Sequence, residues 1–417
     1  QVSGIKAGRA EIRVDAKQGA RRLCRIVLQP DFADHKDITA STVMNSDLTD
    51  PPSLELRILE FSESKSDPFS LLYILECKDL GIQMDRNTER FDTPKEAYLK
   101  SLYNKLEGAW GTGRNFEDLM WDLRSFGAEL FEDLIPEDIR QKIWDHRDDI
   151  GSIEVISNEP SIPWELLHIK EPGKKLPIDG NKFLAEMGLI RWLSNAGWPP
   201  ASLRARIGKV RHVIPDYEFE EDQLPNAPAE RAMMETLFSS ENVEPRSRSV
   251  AQLISEPDAC DLLHFACHGS ADEEKIWDAG LLMSRSIDES TGEEIINSFR
   301  PYNINQHANF NGEEGIQPIV FLNACQTGKA GRGITGTGGM AEAFIRNGAG
   351  LFIGSLWSIG DEGALSFADT FYRSLLGGKT VTEAARDART VSKESEEPTW
   401  LAYSVHGHPY ARFSFED

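Results

Sequence analysis

Basic residues are scarce in this chain. Its 417 residues carry 45 Lys and Arg against 68 Asp and Glu, a formal charge of −23. A field of that sign repels phosphate backbones and anionic headgroups, which argues against nucleic acid or a membrane surface as a direct partner. Cysteine is also sparse: Cys24, Cys77, Cys260, Cys267 and Cys325 are odd in number and show no close spacing. Free thiols in a reducing, cytoplasmic setting are therefore expected rather than a disulfide framework. No apolar run approaches the roughly 20 residues needed to span a bilayer, and no charged-then-apolar leader opens the sequence. The first residue is Gln1 rather than Met, so a processed chain with further domains ahead of it is a second expectation. Repeats and low-complexity tracts are lacking as well.

What is present divides into three parts, in keeping with the length. Residues 1–92 carry short alternating runs such as "AEIRVDA", "SLELRILEF" and "SLLYILECK", broken by Pro, Asp, Ser and Gly, and are expected to form an antiparallel β-rich domain. Residues 93–200 turn helical: "TPKEAYLKSLYNKLEGAW" opens on a Thr-Pro start signal, and "FEDLMWDLRSFGAELFEDLIP" spaces its apolar residues by three and four. This part ends in a strand, "GSIEVIS", and the segment "SIPWELLHI". From 201 to 417 apolar strands alternate with helices, which predicts an α/β domain with a mainly parallel sheet.

The stretch "LLHFACHGS" places His264, Cys267, His268 and Gly269 in one short run. A metal site fits it poorly. On a strand, Cys260, His264 and His268 share one face while Cys267 points to the other, and zinc ligands usually come as close-spaced pairs with a second pair downstream. His264, in mid-strand, is expected to be a packed core histidine. His268 follows the strand and precedes a glycine, where functional groups of parallel sheets gather. A second strand, "PIVFLNAC", ends likewise at Cys325 and enters the Gly-rich "QTGKAGRGITGTGG".

If the two strands are neighbours, a histidine and a thiol meet at one sheet edge. An adjacent imidazole favours the thiolate and can protonate a leaving amine, which is the chemistry of acyl transfer. The amides of Gly269 and Cys325 are the candidate oxyanion donors. A competing reading takes "GRGITG", residues 331–336, as a dinucleotide fingerprint of an oxidoreductase. That motif needs its first glycine directly after the strand, and here Cys325 to Ala330 intervene. No cofactor is expected.

Five blocks in order, "DLLHFACHGS", "PIVFLNACQTG", "GGMAEAFIRNGAGLFIGSLWSI", "DTFYRSLLGG" and "WLAYSVHGHPYARF", resemble the CHAT domain, a caspase-like peptidase module related to caspases and separases. The likeness runs from about 207 to 413, and "SIPWELLHI" with "FLAEMGLIRWL" is similar to the segment that precedes this module in many bacterial members. The resemblance implies a caspase-hemoglobinase fold and a cysteine endopeptidase. Its catalytic histidine falls on His268 and its nucleophile on Cys325, in the order and at about the interval found in caspases; His406-Gly407 is a decoy. By likeness to separases, Asp361 of "LWSIGDEG" lines the pocket for a basic substrate residue, the competing role being an N-cap of the helix that follows. The resemblance further implies a protein substrate, an activating protein or signal acting through the N-terminal region, and a role in bacterial defence or programmed death. A catalytically silent scaffold is the alternative. In the N-terminal part, Trp164 and Glu165 are candidates for a regulatory contact or for core.

Overall fold

The computed structural model of the chain describes residues 8–9, 12–18, 21–28, 31–32 and 53–416, apart from 63–66, 89, 111–114, 177–179, 271–279, 289, 311, 313–314, 326–336 and 358–359. At Ser270 and Cys325 it describes the backbone alone. The chain divides into two units, Gln1–Asp50 and Pro51–Asp417. In the first, four strands are described: β1 (Gly8–Arg9), β2 (Ile12–Gln18), β3 (Arg21–Leu28) and β4 (Asp31–Phe32). β1 pairs antiparallel with β4, and β2 with β3.

The second unit begins with an antiparallel meander, β5 (Ser53–Phe61), β6 (Ser70–Cys77) and β7 (Ile82–Asn87). Alternation along β5 and β6 buries Leu54, Leu56, Ile58, Leu71, Tyr73 and Leu75 on one face. Helices α1 (Lys95–Trp110), α2 (Phe116–Leu134) and α3 (Glu137–Asp145) contribute to the same core, and the Tyr73 hydroxyl donates to the Leu134 carbonyl at 2.7 Å. The next two strands, β8 (Ser152–Ser157) and β9 (Leu189–Leu193), are buried at every position, as interior strands of a covered parallel sheet are.

The remainder alternates strands and helices: β10 (Ser202–Arg206), β11 (Val210–Val213), α4 (Ala227–Phe238), β12 (Glu241–Asn242), α5 (Ser247–Ser255), β13 (Leu262–Ser270), β14 (Gly280–Ile287), β15 (Glu294–Phe299) and α6 (Pro301–His307). It continues through β16 (Ile319–Cys325), α7 (Thr337–Arg346), β17 (Leu351–Ser355), α8 (Asp361–Leu376), α9 (Val381–Ser392), α10 (Thr399–Ala402), β18 (Tyr403–His406) and β19 (Arg412–Glu416).

One mixed, mainly parallel sheet runs β12-β11-β13-β16-β17-β18-β9-β8-β5-β6-β7. β14 and β15 form an antiparallel ribbon leaving the end of β13. The boundaries read from the sequence near 92 and 200 therefore lie inside this sheet. β8 bonds to β5 on one side and β9 on the other, and β9 passes the pairing on to β18. Both edges of β8 and of β9 are hydrogen-bonded within this one sheet, so strands on the two sides of each boundary share it.

Helices cover both faces in the half that carries the motifs. Leu263, Phe265 and Cys267 of β13 pack with Val320, Leu322 and Phe352 against residues of α5, α6 and α7. Leu262 and Ala266, with Ile319 and Phe321 of β16, face the side that holds α4, α8 and α9. No helix among the described residues is long and apolar enough to cross a membrane.

Candidate active site

β13 and β16 run parallel in continuous register from Leu262↔Ile319 to His268↔Cys325. The two residues that end this register are the histidine and cysteine singled out above, both at the carboxyl ends of their strands. Register partners in a parallel pair share the phase of the pleat, so both positions fall on the α4 and α8 face. His264, two repeats of the pleat before His268, and Asn323, one repeat before Cys325, occupy the same face, and Cys267 lies on the other.

His268 is 4% exposed. Its Nε2–H donates to the backbone carbonyl of Asp222 at 2.7 Å. A carbonyl can only accept, so the hydrogen belongs to Nε2 and the lone pair of the neutral ring to Nδ1. The backbone N–H of His268 donates to the Tyr217 hydroxyl at 3.0 Å, which in turn donates to the Leu282 carbonyl at 2.7 Å. His268 and Leu282 are register partners, so the hydroxyl is inserted into the ladder between β13 and β14. The Tyr217 ring lies 5.0 Å from the imidazole, tilted by 34°.

Asp222 closes a turn of 3-10 helix, Glu220–Asp222, in the loop between β11 and α4. Its buried carboxylate accepts from Arg285 Nη1 at 3.0 and 3.3 Å. Arg285 stands on β14, bonds Glu294 across the ribbon, and lies 4.9 Å over the Phe219 ring.

Asp361 is the first residue of α8, with Gly360 at the cap position and making no side-chain cap bond. The Asp361 carboxylate instead accepts the backbone N–H of Asn226, ahead of α4, at 2.7 Å. Burial raises its pKa and the charge of Glu230 adds to this, while the Asn226 N–H and nearby His268 pull it down. Beside half-buried Gly269 the space is open: a Cβ there would meet no described heavy atom within 4 Å.

His264 is fully buried and both ring nitrogens are engaged. Nε2–H donates to Glu230 Oε1 at 2.8 Å, and Nδ1 accepts the Tyr372 hydroxyl at 2.9 Å. The same Glu230 oxygen accepts the Asn323 side-chain amide at 2.6 Å, and Asn323 Oδ1 accepts the Tyr403 hydroxyl. This network ties α4, β13, β16, α8 and β18 together beneath the register pair.

Burial pushes the Cys260 thiol up to about 12 and the Cys267 thiol higher, so neither supplies a thiolate near neutral pH. Among the described residues no group of three or more His, Cys, Asp or Glu side chains could hold a metal ion. The "GRGITG" stretch lies outside the described residues. His406 is buried on β18, where its register partner is Phe352 of β17, two strands from β13. Trp164 and Glu165 are fully buried, and Glu165 is paired with Arg191.

Sequence reasoning passed over Tyr217, Asp222 and Arg285. The first two sit in "PDYEFEEDQLP", the loop leaving a parallel strand at its carboxyl end, and that placement is the one signal that could have found them.

The separase–securin complex of Saccharomyces cerevisiae resembles this chain at 12% identity and a TM-score of 0.47, covering 87% of this chain and 30% of the separase chain. Gingipain R, an Arg-specific cysteine proteinase, matches at 11% identity and a TM-score of 0.39, covering 66% of this chain and 67% of that one. This chain thus spans about 30% of the length of the separase it resembles. No curated protein matches it in sequence. The CHAT domain matches residues 152–412, a span that takes in β8, the "SIPWELLHI" segment, both motif strands and the closing "YSVHGHPYA" block, and on that match the chain belongs to the CHAT domain family.

Proposed function

We propose that this protein is a cysteine endopeptidase in which His268 and Cys325 form the catalytic dyad. The observation that carries the reading is the His268↔Cys325 register at the carboxyl ends of adjacent parallel strands, joined to an imidazole whose Nε2–H is committed to the Asp222 carbonyl. With Nε2 so occupied, Nδ1 is the basic nitrogen and takes the Cys325 thiol proton. The thiolate sulfur attacks the scissile carbonyl carbon, and the carbonyl π pair moves to oxygen. The amides of Gly269 and Cys325 hold that oxyanion. Collapse expels the amine, which takes the proton from His268 Nδ1–H, and leaves a thioester on Cys325. Water, deprotonated by the same nitrogen, then hydrolyses the thioester. The Asp222 carbonyl stabilises the imidazolium between these steps without itself changing protonation.

Asp361 forms the pocket for a basic side chain before the cleaved bond. Its half-buried carboxylate stands at the start of α8, where it accepts the Asn226 N–H and lies near His268. The substrate is a partner protein, and activation by a second protein or signal, in a bacterial defence or cell-death response, follows from the family resemblance.

The test is labelling of Cys325 by a peptidyl acyloxymethyl ketone bearing Arg or Lys next to the reactive group, read by mass spectrometry with and without candidate activators. Cys325→Ala should abolish labelling, and His268→Ala should lose it while Cys325 remains. Labelling at another cysteine, or at the parent rate without His268, would overturn the assignment.

A further inference from the structure

We propose that Arg285 is a positioning residue of this site: through Asp222 it holds the carbonyl that orients the His268 ring. The proposal rests on the dyad reading above and adds a residue that belongs to none of its chemical steps.

The contacts form a closed circuit. β14 leaves β13 at the His268↔Leu282 pair, and three residues later Arg285 returns to the Glu220–Asp222 turn. There Nη1 contacts both carboxylate oxygens of Asp222, at 3.0 and 3.3 Å. The Asp222 carbonyl then reaches His268 Nε2 at 2.7 Å. The imidazole is thus fixed to its own backbone through one ion pair. The Asp222 side chain is 7% exposed, against 30% for Arg285. A carboxylate so buried must keep a partner, because an unpaired charge is driven toward water. Withdrawal of the guanidinium would release the turn, and the carbonyl would leave with it. Phe219 beneath Arg285 and Glu294 beside it hold the guanidinium from two further sides.

Among the described residues, the titratable and charged groups near His268 are Tyr217 and Asp222 in the loop after β11, with Arg285 of β14 behind Asp222, and Asp361 at the start of α8; Cys325 is its register partner on β16.

The readout is the pH profile of Cys325 alkylation by iodoacetamide in the full chain, followed by peptide mass spectrometry. It needs no knowledge of the substrate. A thiol of pKa about 8.5 is only about 1% ionised at pH 6.5, so complete loss of an imidazolium partner slows alkylation there by up to about 100-fold. His268→Ala marks that limit. Arg285→Gln and Asp222→Asn are each expected to slow alkylation at pH 6.5 about 10-fold and to move the profile toward that of His268→Ala. The double variant should be no slower than either single one, since both break the same link. Arg285→Lys, which keeps a charged donor for Asp222, should recover most of the rate. Glu294→Gln should stay within about threefold of the parent, because the Asp222 pair survives.

If Arg285→Gln reacts like the parent while His268→Ala is slow, the proposal falls and the dyad stands. If His268→Ala itself reacts like the parent, both fall. Equal slowing by Glu294→Gln and Arg285→Gln would make Arg285 a brace of the ribbon and overturn the positioning role.

Discussion

The buried pair of Glu165 and Arg191 offers the sharpest energetic test of how the family-specific segment is held. Arg191 Nε donates to Glu165 Oε1 at 2.7 Å, Nη2 bonds the other carboxylate oxygen, Nη1 donates to the Pro160 carbonyl at 3.0 Å, and Nη2 also donates to Ile162 at 2.8 Å. The side chains are 3% and 0% exposed. A second guanidinium, Arg389, is buried close enough that the Glu165 charge sustains it; burial lowers its pKa to about 10, with Arg386 and Arg191 adding to the fall. Glu165 therefore serves as counter-charge to two buried cations.

Breaking such a pair from one side costs about 3–5 kcal/mol, and each carbonyl left without a donor about 1–3 kcal/mol more. Arg191→Met strands one carboxylate and the Pro160 carbonyl, while the Ile162 carbonyl keeps the Trp164 N–H, so a loss of about 4 kcal/mol or more is expected. Glu165→Gln keeps an acceptor for Arg191 but removes its counter-charge and leaves Arg389 only that of Glu186, and about 3–5 kcal/mol is expected. For a unit whose whole stability is of order 5–15 kcal/mol, either change is severe. The double variant Glu165→Leu/Arg191→Met removes the stranded carboxylate, so its loss should fall short of the sum of the singles by at least about 2 kcal/mol. Urea midpoints followed by circular dichroism measure all three. Strictly additive losses, or singles within about 1 kcal/mol of the parent, would refute the view that the pair acts as one buried unit.

Asp361→Asn should reduce labelling by an Arg-bearing acyloxymethyl ketone about 30-fold or more while leaving Cys325 alkylation by iodoacetamide unchanged; equal effects on both reagents would remove Asp361 from the pocket. His168 and His212 are held neutral, with pKa values lowered to about 4 chiefly by burial, and His406 is lowered further by burial and by Arg191. The unfolded chain takes up protons at these histidines before the folded one does, so this stability is present above pH about 6.5 and is lost as pH falls toward 4. Urea midpoints should drop across that window, and His212→Asn should flatten part of the drop. Cys260 and Cys267 should resist iodoacetamide at pH 8 in the folded chain and react once it is unfolded in urea; rapid labelling of either before unfolding would contradict their burial.

The two motif strands were legible because their pattern admits few alternatives. Apolar runs bounded by polar, glycine-bearing stretches set β13 and β16, and the period of two along "LLHFACH" separated His264 and His268 from Cys267 without any tertiary information. The continuity of the sheet was harder to see, although "SIEVIS" carried a sign of it. A strand buried on both faces belongs inside a sheet, yet its Ser and Glu make it resemble an amphipathic edge until their partners are known. Glu154 and Ser152 are both buried in β8. "IPWELL" and "LIRWL" pose the same ambiguity, each with one charge in an apolar run. Neither sequence names the other as partner across 26 positions.

The contacts around the proposed dyad were less legible still, for a chemical reason. A histidine oriented by a carboxylate advertises its partner as a conserved type of residue, whereas one oriented by a main-chain carbonyl places no demand on the side chain that supplies it. Any residue at 222 carries that oxygen. What singles out Asp222 is its second bond, from its own carboxylate to Arg285 63 positions away. The identity of the residue thus encodes how the turn is held, and its backbone how the ring is held. Asp222→Asn and Arg285→Gln should therefore share one phenotype although neither side chain touches the reacting atoms, and distinct pH profiles for the two would break the link between turn and ring.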